Sequence, residues 1–197
     1  MSNEQLKSGL ADMQLQLSLN DQDQLILYLK LLLKWNKAYN LTAITDFDKM
    51  ISYHLLDSLS IVPYLSGNNI VDVGSGAGLP GIPLAIYFPE KQFTLMDSIG
   101  KKTRFMAQAV RELQLKNVRV VQTRAEECQT AGCFDTMIAR AVSSVDELIR
   151  ISKHLLAQDG KLLMMKSDET SEQSCEIIKL HVSGIDSQRL LMIVQKV

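Results

Sequence analysis

The sequence predicts an α/β fold: a mostly parallel, seven-stranded Rossmann-like sheet with a C-terminal antiparallel hairpin and an N-terminal helical extension. Three observations predict it. From Asn69 onward, short apolar and β-branched runs alternate with amphipathic helical stretches, the pattern of a parallel sheet with helices on both faces. The run Ile70-Val71-Asp72-Val73 leads directly into Gly74-Ser75-Gly76-Ala77-Gly78 and then a helix start. A strand, a glycine turn and a helix N-terminus offer free N–H groups and a favourable dipole to ligand oxygens. The first sixty residues instead look helical. The 197 residues suit one domain, with 1–65 as the extension and 66–197 as the α/β core.

In the extension, Leu6, Leu10, Met13 and Leu17 keep a helical spacing. Asn20 or Asp21 is placed to cap a second helix, with Leu25, Leu29, Leu32 and Tyr39 on one face and Lys30, Lys34 and Lys37 on the other. Asn40-Leu41-Thr42-Ala43-Ile44 breaks the pattern, and Thr45 or Asp46 caps a third helix. Its buried stripe is Phe47, Ile51, Leu55, Leu59 and Val62. His54 and Asp57, three apart, share a neighbouring face. A hydrogen bond on the helix surface and a place on the substrate side of a cleft are both open readings for that pair.

In the core, strand one covers residues 70–73 and its helix runs from about 80 to 88, with Pro80 in the first turn. Strand two is 92–96, followed by a helix with Phe105, Ala109 and Leu113 inward. Strand three is 118–121 and strand four 134–138; a helix over 145–156 and strand five at 160–165 follow. The last two strands, 176–182 and 190–194, are joined by a connection short enough for an antiparallel hairpin. Right-handed crossovers place the carboxyl ends of the parallel strands on one edge, where ligands bind. That edge carries Gly74 to Leu79, Asp97, Arg124 to Glu127, Arg140 and Lys166. Arg124 to Glu127 reads equally as a plain surface turn. Arg140 stands among Ile138, Ala139, Ala141 and Val142, and a guanidinium in apolar surroundings takes a partner. A structural ion pair and a ligand contact are both open for it.

The glycine spacing narrows the ligand. A dinucleotide fingerprint needs a third glycine at position 79, where Leu79 stands. The run Asp72-x-Gly74-x-Gly76-x-Gly78 instead resembles motif I of the S-adenosylmethionine-dependent methyltransferases. Asp97 follows at the end of strand two, about twenty residues beyond the glycines, where a carboxylate takes ribose hydroxyls or merely caps a helix.

Composition sets bounds rather than a function. The net charge of −1 and an apolar content of 46% describe an ordinary soluble globular protein. No apolar run reaches the length of a membrane span, and the first residues form no signal peptide. Cys128, Cys133 and Cys175 fit no metal spacing and read as reduced thiols in a cytoplasmic protein. Charge is uneven. Residues 91–120 carry seven basic side chains against Asp97 and Glu112, a local balance of +5. Lys101, Lys102 and Arg104 lie just beyond Asp97, where a solvated helix face and a grip on an RNA backbone are both open readings.

Longer blocks are more particular. Trp35 to Ile44, His54-Leu55-Leu56-Asp57-Ser58-Leu59, Val71 to Pro83 with its Gly-Leu-Pro-Gly-Ile-Pro extension, Leu95-Met96-Asp97-Ser98, Lys101 to Arg104, Arg124 to Glu127 and Ile138-Ala139-Arg140-Ala141 together resemble the guanine-N7 methyltransferases of bacterial small-subunit ribosomal RNA, historically called glucose-inhibited division protein B. The resemblance runs over most of the chain. It implies a monomeric cytoplasmic enzyme that uses S-adenosyl-L-methionine on 16S rRNA. It puts the cofactor against Gly74, Leu79, Ala125, Glu126 and Arg140; the glycine motif adds Asp72, Gly76 and Gly78 to the expected site, and Asp97 fits the ribose position of the wider class. Lys101, Lys102, Arg104 and His54 become candidates for RNA contact, Arg140 and Lys166 candidates for catalysis, and no metal is implied. Three departures stand out. Tyr53 replaces the usual arginine before His54, Ser167 replaces the glycine after the strand-five lysine, and the polar segment from Ser167 to Ser174 is too short for the helix expected there.

The chemistry agrees with that reading. Guanine N7 carries an in-plane lone pair, so methylation needs no base to remove a proton. No Asn-Pro-Pro-aromatic tetrapeptide follows strand four, which argues against exocyclic amines as acceptors. Cys128 and Cys133 follow strand three rather than four or five, which argues against a covalent pyrimidine mechanism. A small-molecule methyltransferase and a non-catalytic ribosome-binding module remain as alternatives.

Overall fold

The computed structural model describes residues 2–129, 132–140, 144–167 and 175–195. Ala141, Val142 and the short segment 168–174 lie outside them. Helix α1, Ser2–Asp12, buries Leu6 and Leu10. Helix α2, Leu19–Tyr39, starts earlier than expected because Ser18 caps it: the Ser18 hydroxyl accepts from the Asp21 backbone N–H and donates to the Asp21 carboxylate. That reciprocal arrangement satisfies an orphan donor of the first turn. The core face of α2 holds Leu25, Tyr28, Leu29 and Leu32, all fully buried. Tyr39, expected there, is 38% exposed and stacks on Trp35, its ring 5.2 Å away.

The third helical stretch is irregular. Helix α3, Phe47–Met50, is capped by Asp46, and a π-helical run, Ile51–Leu56, continues into helix α4, Asp57–Leu59. The wider π turn rotates the buried face away from a simple stripe. Phe47 and Val62 end up only partly buried, while Met50, His54, Leu56 and Asp57 turn inward. A short 3₁₀ turn, Val62–Tyr64, leads to the sheet.

The sheet follows in the order predicted. Strand β1 (Asn69–Val73) leads to helix α5 (Gly81–Tyr87), and β2 (Gln92–Asp97) to α6 (Gly100–Glu112). Strand β3 (Val118–Gln122) is joined to β4 (Phe134–Arg140) through a 3₁₀ turn at Ala125–Glu127. Helix α7 (Val145–Leu155) runs directly into β5 (Leu156–Lys166), and β6 (Glu176–Lys179) and β7 (Leu190–Gln195) close the chain. Pro80 precedes α5 as its cap rather than opening its first turn. Strand β5 begins at Leu156 because that residue pairs with Phe134, a register shift absorbing the extra residues before Lys161 pairs with Thr136. Strand β6 ends at Lys179, short of the expected 182, and Val182 leaves the ladder to become buried in the core.

The strand order is β3-β2-β1-β4-β5-β7-β6, with β1 to β5 parallel and β7 antiparallel to both its neighbours. Side chains alternate between two cores, as the two-residue period of a strand requires. Ile70, Phe93, Leu95, Ile138 and Leu163 pack with α2, α5 and α6 on one face. Val71, Val73, Met96, Met137 and Leu162 pack with α7 on the other. The N-terminal helices share the first of these cores, and the turn after α2 brings Leu41 and Thr42 to the carboxyl edge of the strands.

Candidate functional site

The turn after β1 is built from its backbone. Gly74 and Ser75 donate their N–H groups to the Met96 carbonyl, and Ser75 Oγ donates to the Asp72 carbonyl at 2.8 Å. Gly74, Gly76 and Gly78 all have positive φ, a conformation costly for L side chains. Gly78 also has no room: a Cβ there would lie 2.5 Å from Ile82 Cδ1, so this glycine lets the turn close on α5. At Gly76 a Cβ would meet only the Gly74 carbonyl, at 3.9 Å. Its open side faces a cavity of about 460 Å³, of the size that holds a nucleoside-like ligand.

Gly74, Gly76, Leu79, Asp97, Ala125, Glu126 and Arg140 line that cavity. Two expected cofactor residues do not. Gly78 packs against Ile82, and Asp72 is buried beneath the turn, its Oδ2 accepting the Gly81 N–H at 2.9 Å. Asp72 Oδ1 has no hydrogen-bond partner among the described residues. Burial pushes the Asp72 carboxyl up to about 7, the Gly81 N–H and Ser75 opposing. Asp72 therefore supports the turn from behind instead of facing a ligand.

Asp97 is 5% exposed and does two things at once. Its Oδ2 accepts the Gly76 N–H at 3.0 Å and its Oδ1 accepts the Ile99 N–H at 2.9 Å, tying the glycine turn to the start of α6. A carboxylate has about four acceptor sites, so capacity remains for hydroxyls entering from the cavity. Lys102 Nζ lies 3.4 Å from Asp97 Oδ2 and lines the same wall.

The far wall comes from the N-terminal extension; the sequence left a place on a cleft open for His54 but did not single out Leu41 or Thr42. Buried Asn36 accepts from the Leu41 and Thr42 N–H groups through Oδ1 and donates to the Thr42 carbonyl through Nδ2. This fixes the turn after α2, where Asn40 adopts the left-handed conformation, and sets Leu41 and Thr42 in the cavity wall. Thr42 Oγ1 accepts the Ile44 N–H and is 2.9 Å from His54 Nε2. His54, expected to meet RNA, is instead 3% exposed within the wall. Burial and nearby Arg140 push its pKa down to about 4, so the ring is neutral at pH 7. Deeper in, the fully buried Tyr28 hydroxyl donates to the Ala77 carbonyl at 2.7 Å, bracing the glycine turn from α2.

The side chains of His54 and Asp57 do not bond to each other, although the Asp57 backbone N–H donates to the His54 carbonyl; each side chain finds its partner elsewhere. Asp57 is 5% exposed and lies between two guanidiniums, with Oδ2 3.0 Å from Arg140 NH1 and Oδ1 accepting from Arg189 Nε at 3.0 Å. The ion-pair reading of Arg140 therefore holds, and the residue also lines the cavity wall. Arg189, at the start of β7, escaped the sequence reading because antiparallel pairing alone brings it to this edge. A second cavity of about 230 Å³ lies on the other side of Arg140, lined by Tyr53, Asp57, Lys166, Ser167 and Arg189 among others. Tyr53, where the resemblance expects arginine, lies under the Arg189 guanidinium, 5.6 Å from its ring centre. Lys166 borders this second cavity rather than the first.

Lys101 and Lys102 are already engaged: Lys101 Nζ donates to the Tyr39 carbonyl at 2.8 Å, and Lys102 pairs with Asp97. Arg104 is exposed. Among the described residues, no cluster of His, Cys, Asp or Glu is arranged to hold a metal, and no helix is long and apolar enough to cross a membrane.

Comparison with known proteins now decides the family. The family model described as rRNA small subunit methyltransferase G matches residues 21–196. The chain belongs to that family. Among relatives called ribosomal RNA small subunit methyltransferase G, the one from Marinobacter nauticus is 48% identical over 201 residues, covering 98% of this chain and 94% of that one. That of Pseudomonas aeruginosa is 45% identical over 203 residues, with 98% and 95% covered. That of Coxiella burnetii is 45% identical over 195 residues, with 96% of each covered. The fold alone is shared with more distant structures. The crystal structure of M. jannaschii TYW2 in complex with AdoMet gives a TM-score of 0.57 at 13% identity, over 72% of this chain and 74% of that one. A SAM dependent methyltransferase from Aquifex aeolicus gives 0.57 at 15% identity, over 73% and 91%.

Proposed function

We propose that this protein transfers a methyl group from S-adenosyl-L-methionine to N7 of a guanine in 16S rRNA of the small ribosomal subunit, acting as a cytoplasmic monomer. One observation carries the reading. The cavity at the glycine turn presents a carboxylate with spare acceptor sites, Asp97, beside an open approach to backbone at Gly76, in a chain of the small-subunit rRNA methyltransferase family. That donor set suits a nucleoside with ribose hydroxyls. Asp97 would hold the ribose, Ala125 and Glu126 the base side, and Gly74, Gly76 and Leu79 the amino-acid side.

S-adenosylmethionine supplies an electrophilic methyl carried on a sulfonium. The chain's own residues have three tasks. They align the acceptor with that methyl, an effect worth up to roughly 7–11 kcal/mol when geometry is good. They exclude water, through the wall of Leu41, Thr42 and His54. They hold the acceptor nucleotide, for which the second cavity offers the Tyr53 ring and the cations Lys166 and Arg189. Arg140 borders both cavities, so donor and acceptor would meet across it. Neutral His54 has Nδ1 without a partner among the described residues, yet N7 alkylation gives it no proton to remove. This acceptor needs no base in the wall.

The test is transfer of labelled methyl to small subunits from cells lacking the protein, with calorimetry for the cofactor alongside. Label on subunits and saturable cofactor binding support the reading. Cofactor binding with label only on small molecules would replace the acceptor, and no binding at all would remove the enzyme reading.

A further inference from the structure

The exposed face of α2 carries Lys30, Lys34 and Lys37 in line. None of the three forms an ion pair with a described residue. The positions three and four residues from each hold Ile26, Leu27, Leu31, Leu33, Ala38, Asn40 and Leu41, or another of the lysines. Lys30 and Lys34 are therefore a like-charge i,i+4 pair, which weakens a helix, with no acidic neighbour placed to offset it. A face serving solubility alone interleaves both signs. The helix dipole accounts only for Lys37, in the last turn. Two further observations give the face a direction. The three lysines span about 10 Å along the helix axis and end at the turn that supplies Leu41 and Thr42 to the cavity wall. Of the cations that sequence had offered for RNA contact, Lys101 is spent on Tyr39 and Lys102 on Asp97, while Arg104 stays exposed on α6.

We propose that this face of α2 is the docking surface for the phosphate backbone of the substrate RNA, leading it to the cavity edge. The proposal deepens the rRNA reading above and rests on it. A line of unpaired ammonium groups suits a polyanion, binding through release of its counterions without reading sequence. Neighbouring side chains three and four apart on a helix stand about 5–6 Å apart, close enough to engage successive phosphates. The opposite face of the same helix carries Tyr28, which braces the glycine turn, so RNA held on α2 is held by the element that supports the cofactor cavity.

The experiment compares wild type with the triple variant Lys30→Gln, Lys34→Gln, Lys37→Gln, using undermethylated small subunits and protein-free 16S rRNA as probes. Affinity is measured against salt concentration. The triple variant is expected to lower the slope of log K against log salt by roughly two to three, and affinity near 0.15 M salt by roughly tenfold to a hundredfold. Its affinity for S-adenosylmethionine and its melting temperature stay at the wild-type values. Lys101→Gln moves the slope by less than about half a unit. An unchanged slope in the triple variant overturns the proposal and makes α2 a solvated face. A larger effect in Lys101→Gln than in the triple variant overturns it in favour of α6. Failure of the rRNA reading shows separately, as wild-type protein that neither binds nor methylates either probe.

Discussion

Replacing Asp57 with asparagine puts the link between the two cavities to the sharpest test. The carboxylate is 5% exposed and faces two guanidiniums at 3.0 Å each, whose side chains keep 22% exposure in Arg140 and 16% in Arg189. Removing one member of a buried ion pair costs about 3–5 kcal/mol, because the remaining charge stays desolvated. Residual exposure of both arginines and the acceptor retained by asparagine reduce this to about 2–4 kcal/mol. At about 2–4 °C per kcal/mol for a chain of this size, Asp57→Asn should melt roughly 5–15 °C below wild type. Arg140 loses its tether at the cavity wall, so cofactor affinity should fall about tenfold, equivalent to about 1.4 kcal/mol. Thermal unfolding and calorimetry with S-adenosylmethionine read both effects. Adding Arg189→Gln should cost less than the two changes summed, by at least about 1 kcal/mol. A melting point within about 2 °C of wild type, with unchanged cofactor affinity, would show that the triad is a screened surface cluster and refute the reasoning.

Further predictions follow from single contacts. Asp97→Ala should weaken cofactor binding by about 1.5–3 kcal/mol, the scale of a hydrogen bond to a charged group, and a Kd within twofold of wild type by calorimetry would reduce Asp97 to a helix cap. Gly76→Val, with positive φ and its open side on the cavity, should leave a folded protein that no longer binds cofactor, read by the same titration. Tyr28→Phe leaves the Ala77 carbonyl buried and unpaired, costing about 1–3 kcal/mol in a urea melt. Asp72 carries its proton up to about pH 7 in the folded state but only to 3.8 by its ordinary value. Folded protein thus binds one more proton than unfolded across that window, and stability falls as pH rises through it, levelling above about 7. Asp72→Asn should flatten this dependence by about 1.4 kcal/mol per pH unit, measured by denaturant unfolding at a series of pH values.

Periodicity was enough to read the sheet. Alternating apolar runs and the glycine turn gave five parallel strands and a terminal antiparallel pair, all found in order, with β5 starting earlier at Leu156 and β6 ending earlier at Lys179. Local rules failed where local geometry was unusual. The π turn at Ile51–Leu56 rotated the stripe predicted for a regular helix and buried His54 and Asp57. The cap of α2 moved to Ser18, whose hydroxyl accepts the Asp21 N–H and donates to the Asp21 carboxylate. Of the edge residues that topology offered, Gly74, Gly76, Leu79, Asp97, Ala125, Glu126 and Arg140 line one cavity, whereas Lys166 borders the second. Asp72 and Gly78 were misread for a shared reason: they belong to the glycine motif but serve its packing, and a motif does not say which side of the turn a residue faces. Tyr28 and Arg189 were invisible as site residues, since their roles arise from contacts distant in the chain, Tyr28 to Ala77 and Arg189 to Asp57, while Asn36 and Thr42 act through the conformation of one irregular turn.

The central claim concerns an atom, and one measurement addresses it. N7-methylguanine is a cation whose imidazole ring borohydride reduces readily, after which aniline cleaves the RNA at that nucleotide. Small subunits from cells lacking the protein, incubated with wild-type protein and S-adenosylmethionine, should acquire one new cleavage site in 16S rRNA, absent when cofactor is withheld. Methyl label appearing in the RNA without any cleavable guanine would contradict the account, placing the reaction at another atom.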